Sequence, residues 1–137
     1  MRTALTYGSW VRGVNATLAT VAKARRRPPR HDETDCMAAS IDALRAAGVW
    51  AHRCNAGMAT YKSGARVRYG LGAGCADVIC CHRGRLVAIE FKAARTGRQT
   101  PEQKAWQRGL EAAGGIYVLA RSVPEALAWL QEVHVDG

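Results

Sequence analysis

Apolar residues return at helical spacing after His31, where Met37, Ile41 and Leu44 line one face and Asp32 is placed to cap the first turn. Arg45-Ala-Ala-Gly48 supplies the stop, with glycine free to take the left-handed conformation that ends helices. Val49–Arg53 reads as a first strand. Residues 55–74 hold five glycines and three bases with no regular period, which predicts a long loop; loops of that length in a small domain usually carry function. Strands are predicted over 75–82 and 86–91, folded into a hairpin around Arg83-Gly84-Arg85. Thr100-Pro101-Glu102-Gln103 opens a second helix, with Thr as N-cap, Pro at the first position and Gln at the third, and it runs to Gly114-Gly115. Residues 115–120 (GIYVLA) predict a short central strand, and Ser122-Val-Pro-Glu125 a second capping box that opens a last helix to about Val133. Helix, three strands, helix, strand, helix is the order of an α/β sandwich with a mixed sheet, not of a doubly wound fold.

At 137 residues the chain is long enough for one domain with a single core. No apolar run approaches the eighteen or so residues of a membrane span, so no membrane partner is expected. The formal charge of +9 is unevenly placed. Residues 1–30 carry +7 and no acid, 31–52 carry −3, 53–98 carry +7 and 99–137 carry −2. The first block, with Val14, Leu18 and Val21 on one side and RRRPPR behind them, reads as a basic tail that touches nucleic acid; an acid-free, Arg-rich start also fits an organelle transit peptide. The domain itself is placed at 31–137. Its basic block surrounds Asp77 and Glu90, a pattern that suits a polyanionic substrate. Five cysteines without disulfide-like spacing read as free thiols in a reducing compartment, the cytoplasm. Cys75, Cys80, Cys81 and His82 make a poor zinc set, because adjacent strand cysteines face opposite ways and no CxxC pair exists.

Glu90 interrupts the apolar run 86–91 and Lys92 follows two residues later, so alternation puts both side chains on one face. Asp77 lies thirteen positions before Glu90, across the turn, where antiparallel pairing brings the two carboxylates together. Two such groups repel, and one pKa rises, unless a hard cation with oxygen ligands joins them; Mg²⁺ or Mn²⁺ is the natural choice. That ion can activate water and stabilise charge on a phosphodiester, with Lys92 as a second cation. A Glu90–Lys92 surface pair without chemistry is the competing reading. The apolar strand leading into Glu90 argues against it.

Taken together, G-x-G-x-x-D (72–77), I-E-F-K (89–92) and TPEQKAW (100–106) resemble the PD-(D/E)XK nuclease superfamily, and within it the VRR-NUC group, over roughly residues 31–121. The resemblance implies a restriction-endonuclease-like α-β-β-β-α-β core, its small mixed sheet flanked by helices. It implies that Asp77, Glu90 and the Phe91 carbonyl bind the metal and that Lys92 is the catalytic lysine. Glu33 would complete the site from the first helix, and Gln103 would support it from the helix after the hairpin. Glu33 is equally placed to complement a helix N-terminus, and Gln103 to serve as a capping residue. Arg53 and Asn55 match the R-x-N-x-G strand end of the family, although Asn55 also suits a turn. With Lys62, Arg66, Arg68, Arg95 and Arg98 they are the expected nucleic-acid contacts.

The activity implied is a Mg²⁺- or Mn²⁺-dependent DNA endonuclease. Relatives made of this domain alone are small phage-like or mobile-element nucleases, some of them homodimers on branched DNA. A homodimer acting on four-way junctions is therefore expected. The alternative is a non-catalytic nucleic-acid-binding module that keeps the fold, against which Asp77, Glu90 and Lys92 all stand intact.

Overall fold

The computed structural model describes residues 32–133, so the basic segment 1–30 and both of its readings lie outside the described residues. The first helix, α1 (Asp32–Ala46), begins at Asp32 itself. Met37, Ile41 and Leu44 are buried along one face with Ser40, whose hydroxyl donates back to the Cys36 carbonyl at 2.7 Å. The helix ends as its sequence dictates. Gly48 turns left-handed at φ 83°, its N–H donating to Arg45 and that of Val49 to Leu44, while Val49 packs into the same core as Leu44.

Six strands follow, in two sheets: β1 (Trp50–Arg53), β2 (Gly57–Thr60), β3 (Arg66–Tyr69), β4 (Val78–His82), β5 (Arg85–Phe91) and β6 (Ile116–Ala120). The main sheet runs β1-β4-β5-β6 and is mixed, since β1, β4 and β5 pair antiparallel and β6 joins β5 in parallel. The β4–β5 turn is tighter than its sequence suggests. Only Arg83 and Gly84 lie between the strands, both at positive φ (53° and 78°), which is the two-residue turn whose twist matches a hairpin. The parallel β5–β6 step is bridged by α2 (Pro101–Ala112), and β6 leads into α3 (Val123–Glu132).

Three expectations are corrected. Residues 55–74 are not one loop, because β2 and β3 pair antiparallel as a separate two-stranded sheet. All eight of their residues are exposed, so no buried face imposes a hydrophobic rhythm on the sequence. Strand β6 is an edge strand and not central: β4 already occupies the other side of β5, and helices α2 and α3 pack against β6. At α3, Ser122 caps by accepting from the Glu125 N–H at 3.3 Å. The Glu125 carboxylate, however, accepts from the Arg121 N–H at 2.7 Å, so the reciprocal bond of a capping box goes one residue astray.

The two faces of the sheet differ. Val78, Cys80, Val87, Ile89 and Phe91 point to one side, where they form the core with α1 and α3. The alternate positions, Ile79, Cys81, Leu86, Ala88 and Glu90, point to the other side. There α2 packs against β6 without burying any of its own residues fully. No helix among the described residues is long and apolar enough to cross a membrane.

Leu44→Ala is expected to cost about 2–5 kcal/mol of unfolding free energy, read from the urea midpoint. Leu86→Ala, at a side chain 43 % exposed on the outer face, should stay within about 0.5 kcal/mol. On that same face burial pushes the Tyr117 phenol up to about 12, whereas an unfolded tyrosine ionises near 10. The folded chain therefore holds a proton that the unfolded chain releases, and stability is expected to fall between about pH 10 and pH 12. Alkaline melting curves of the wild type and Tyr117→Phe check this, the variant showing the shallower decline.

Candidate active site

Carrying the β4–β5 register one step past Val78↔Ile89 sets Asp77 opposite Glu90, and opposite residues share a face. Asp77 is fixed at both ends. Its Oδ2 accepts from the Phe91 N–H at 2.8 Å, and its carbonyl accepts from Cys54 N–H at 2.7 Å, which ties the end of β1 to the site. Glu90 is only 3 % exposed. Its Oε1 receives both the Lys92 ammonium at 2.9 Å and the Gln103 amide at 2.5 Å. Its Oε2 is buried with no hydrogen-bond partner among the described residues.

Burial holds the Glu90 carboxyl above the usual carboxylate range, and the Asp77 charge adds to the rise. The hydrogen bond and charge of Lys92 oppose it. The orphaned Oε2 beside a second carboxylate is an environment that a divalent cation would complete. Among the described residues no three His, Cys, Asp or Glu side chains cluster about a point. An ion here would thus rest on two carboxylates with main-chain oxygen and water, which is how Mg²⁺ is commonly held.

Gln103 is the capping residue and also reaches Glu90 with the same side chain. Thr100 Oγ1 accepts from its N–H at 3.2 Å and its Oε1 accepts from the Thr100 N–H at 2.9 Å, closing a capping box, while its Nε2 reaches Glu90. Glu33 does more than complement a helix end, since its Oε1 accepts from the Ala93 N–H at 2.6 Å, sixty residues away and one past Lys92. Lys92 N–H donates to the Ala120 carbonyl at 3.0 Å, which anchors the lysine to β6. Asp77, Glu90, Lys92 and Gln103 therefore form one constellation, with Glu33 bracing the chain that leaves it.

The expected nucleic-acid contacts are spread more widely. Arg53 ends β1 next to this site and Asn55 follows it; Lys62, Arg66 and Arg68 lie on the β2–β3 hairpin; Arg95 and Arg98 lie between β5 and α2. All are exposed. None of these bases forms an ion pair among the described residues. The thiols of Cys54 and Cys75 are 3.5 Å apart beside the site, and burial, with their mutual hydrogen bond, pushes Cys75 up to about 11. At neutral pH it is a thiol, not a thiolate nucleophile.

Two supports are absent from the sequence reading. Arg121 donates from Nη1 to the Ala93 carbonyl and from Nη2 to Gly97 at 2.7 Å, so it pins the segment after Lys92 from the end of β6. Its only sequence signal is a charge placed directly after an apolar strand. Gly74, at φ 79°, brings the chain so close to α2 that a Cβ would sit 2.4 Å from the Glu102 backbone. The G-x-G spacing before Asp77 carries that constraint. A cleft of about 450 Å³ opens beside it, lined by Met58, Arg68, Tyr69, Gly74, Glu102 and Gln103.

No protein-family model matches the chain, and no curated protein matches it.

Arg121→Ala removes a charged donor from two carbonyls, and hydrogen bonds to charged groups contribute about 1.5–3 kcal/mol. Hydrogen exchange over residues 93–97 is expected to accelerate by roughly tenfold or more, with the core strands β4 and β5 unchanged.

Proposed function

We propose that the chain is a metal-dependent DNA endonuclease of the VRR-NUC group, built on the restriction-endonuclease-like core of the PD-(D/E)XK superfamily. The observation that carries this reading is the buried Glu90, facing Asp77 across a hairpin, with Lys92 and Gln103 on one oxygen and, among the described residues, no partner within hydrogen-bond range of the other. Asp77, Glu90 and the Phe91 carbonyl would hold Mg²⁺ or Mn²⁺. When bound, such an ion supplies charge stabilisation at the phosphate and an acidified water.

The remaining work falls to the chain. Glu90 is held in one orientation by Gln103, whose own position is set by the capping box at the start of α2. Lys92 places a positive charge against the same carboxylate, 14 % exposed and so shielded from most of the solvent. There it can offset negative charge that builds on a phosphodiester in the transition state. Glu33 and Arg121 fix the chain at Ala93 from opposite sides, through its N–H and its carbonyl, and so restrict where Lys92 can reach.

The partner is DNA, met by exposed bases at Arg53, Lys62, Arg66, Arg68, Arg95 and Arg98, none of them in an ion pair among the described residues, with four-way junctions the favoured form. The assembly is a homodimer, since a single site cuts two strands most readily as a two-fold pair. The compartment is the cytoplasm, in keeping with five cysteines that form no disulfide among the described residues.

Purified protein is expected to cut supercoiled plasmid and four-way junctions with Mg²⁺ or Mn²⁺ and to stop with chelator. Asp77→Ala, Glu90→Gln and Lys92→Ala should each lower the rate by about a hundredfold or more. Gln103→Ala, which leaves the acids in place, should cost about ten- to a hundredfold. Cutting that survives Asp77→Ala would refute this site, and binding without cutting under every metal condition would favour the non-catalytic module.

Saturating Mn²⁺ should also raise the melting temperature of the wild type by several degrees, because a ligand at a hundred times its Kd adds about 2.7 kcal/mol. Asp77→Ala should lose that shift whether or not a substrate has been found.

A further inference from the structure

The β2–β3 hairpin buries nothing, yet it is built as a two-sided ribbon. Its register pairs Met58 with Arg68 and Thr60 with Arg66, which places both arginines on one face. Gly57 with Tyr69 and Ala59 with Val67 make the other face, where the Tyr69 ring lies so close over Gly57 that a Cβ would meet its Oη at 2.5 Å. Tyr61 and Lys62 form the tip, closed by the Tyr61 N–H on Ala65 and the Gly64 N–H on Tyr61, both at 2.9 Å. Tyr61 is 60 % exposed there. From Asn55 to Gly74 the chain carries three bases and no acid.

An isolated two-stranded ribbon is marginal in water, so this one depends on its root. Gly70, at φ 98°, lies against Asn55 and Ala56. The Trp106 indole donates to the Leu71 carbonyl at 3.3 Å, and Gly74 abuts Glu102 and Gln103. The ribbon is therefore fastened to the same helical turn that carries Gln103, and Met58, Arg68 and Tyr69 share a cleft with that glutamine.

The geometry points to the ribbon as the element that recognises branched nucleic acid: Arg66 and Arg68 grip the phosphates of a duplex arm while Tyr61, at the tip, stacks on a base-pair face laid open where stacking breaks at the branch. The inference rests on the nuclease reading and adds what that site selects. Charge complementarity commits the basic face to a polyanion, because nothing acidic on the ribbon offsets its arginines. An aromatic side chain more than half exposed at a tip is suited to a base face, which a duplex offers only where its stacking is broken. A second copy pairing with the open edges of the ribbon is the rival occupant.

The test uses the full chain in chelator, so that nothing is cut, and measures affinity for a four-way junction and for a linear duplex of the same arms across a salt series. Arg66→Gln with Arg68→Gln should weaken both DNAs alike and reduce the log–log salt slope by about 1.8, the share of two phosphate contacts. Tyr61→Ala should leave that slope unchanged and lower junction affinity by about tenfold, with linear affinity held. Arg83→Gln with Arg85→Gln, at the far end of the main sheet, is the control and should change neither.

The ribbon role fails if the arginine pair behaves as the control does, or if Tyr61→Ala leaves the junction-to-linear ratio where it was. It fails equally if the variants shift the oligomeric state by light scattering while DNA affinity holds. Hydrolysis of bis(p-nitrophenyl) phosphate with Mn²⁺ separates this inference from the nuclease reading, since so small a diester does not span the ribbon. Hydrolysis retained in the ribbon variants and lost in Asp77→Ala supports both. Absence of that hydrolysis in the wild type, together with plasmid and junction left uncut under every metal condition and the expected binding changes intact, sinks the nuclease and leaves the ribbon standing.

Discussion

A carboxylate buried in a strand is costly unless its oxygens are satisfied, and much of this molecule is organised around Glu90. Satisfying one oxygen recruits two elements: Lys92 from just beyond β5, and Gln103 from the first turn of α2. Each recruit is itself tied down, Lys92 through its N–H to β6 and Gln103 through Thr100. Asp77 owes its place to the two-residue turn between β4 and β5. A slip of one residue there would send Asp77 to the core face and Val78 to the outer one.

The sheet can hold such a site because its two faces do different work. One face carries the aliphatic core, closed by α1 and α3, and that packing stabilises the fold. The other is only partly covered by α2, which leaves room for charge at one end. Helix α1 still takes part in both, burying Leu44 in the core while Glu33, three turns earlier, meets the chain beyond Lys92. The core thus aligns the first helix so that its exposed end reaches the site.

What could be read from the sequence was whatever breaks a pattern for a chemical reason. Glu90 inside an apolar strand, Thr100 and Gln103 in capping register and Gly48 behind a helical stripe each had a local signature, and the structure shows each in the conformation that signature implies. The ribbon lacked one, because exposed strands need no hydrophobic alternation, and the five glycines of residues 55–74 reinforce the look of a loop. Arg121 offered only a charge behind an apolar strand: its two carbonyl partners lie 28 and 24 residues away and are created by the fold. Strand β6 misled in the opposite way. An apolar run signals cover on both faces, and helices supply that cover as well at a sheet edge as at its centre.

The geometry at Glu90 is hard to explain as a device for stability. A buried ion pair seldom repays the desolvation of its two charges, and does so only when the other lone pairs are also met. Here two donors crowd one oxygen while its twin has none among the described residues, and Asp77 adds like charge from the facing strand. A methionine or leucine at position 90 would extend the apolar run of β5 and remove the conflict altogether. Local conflicts of this kind are expected where function, and not folding, sets the residue. The ribbon shows a similar imbalance, with arginines that form no ion pair among the described residues and a tyrosine 60 % exposed at its tip. Both departures converge on one turn of α2, where Gln103 faces the carboxylate and Glu102 faces the root of the ribbon.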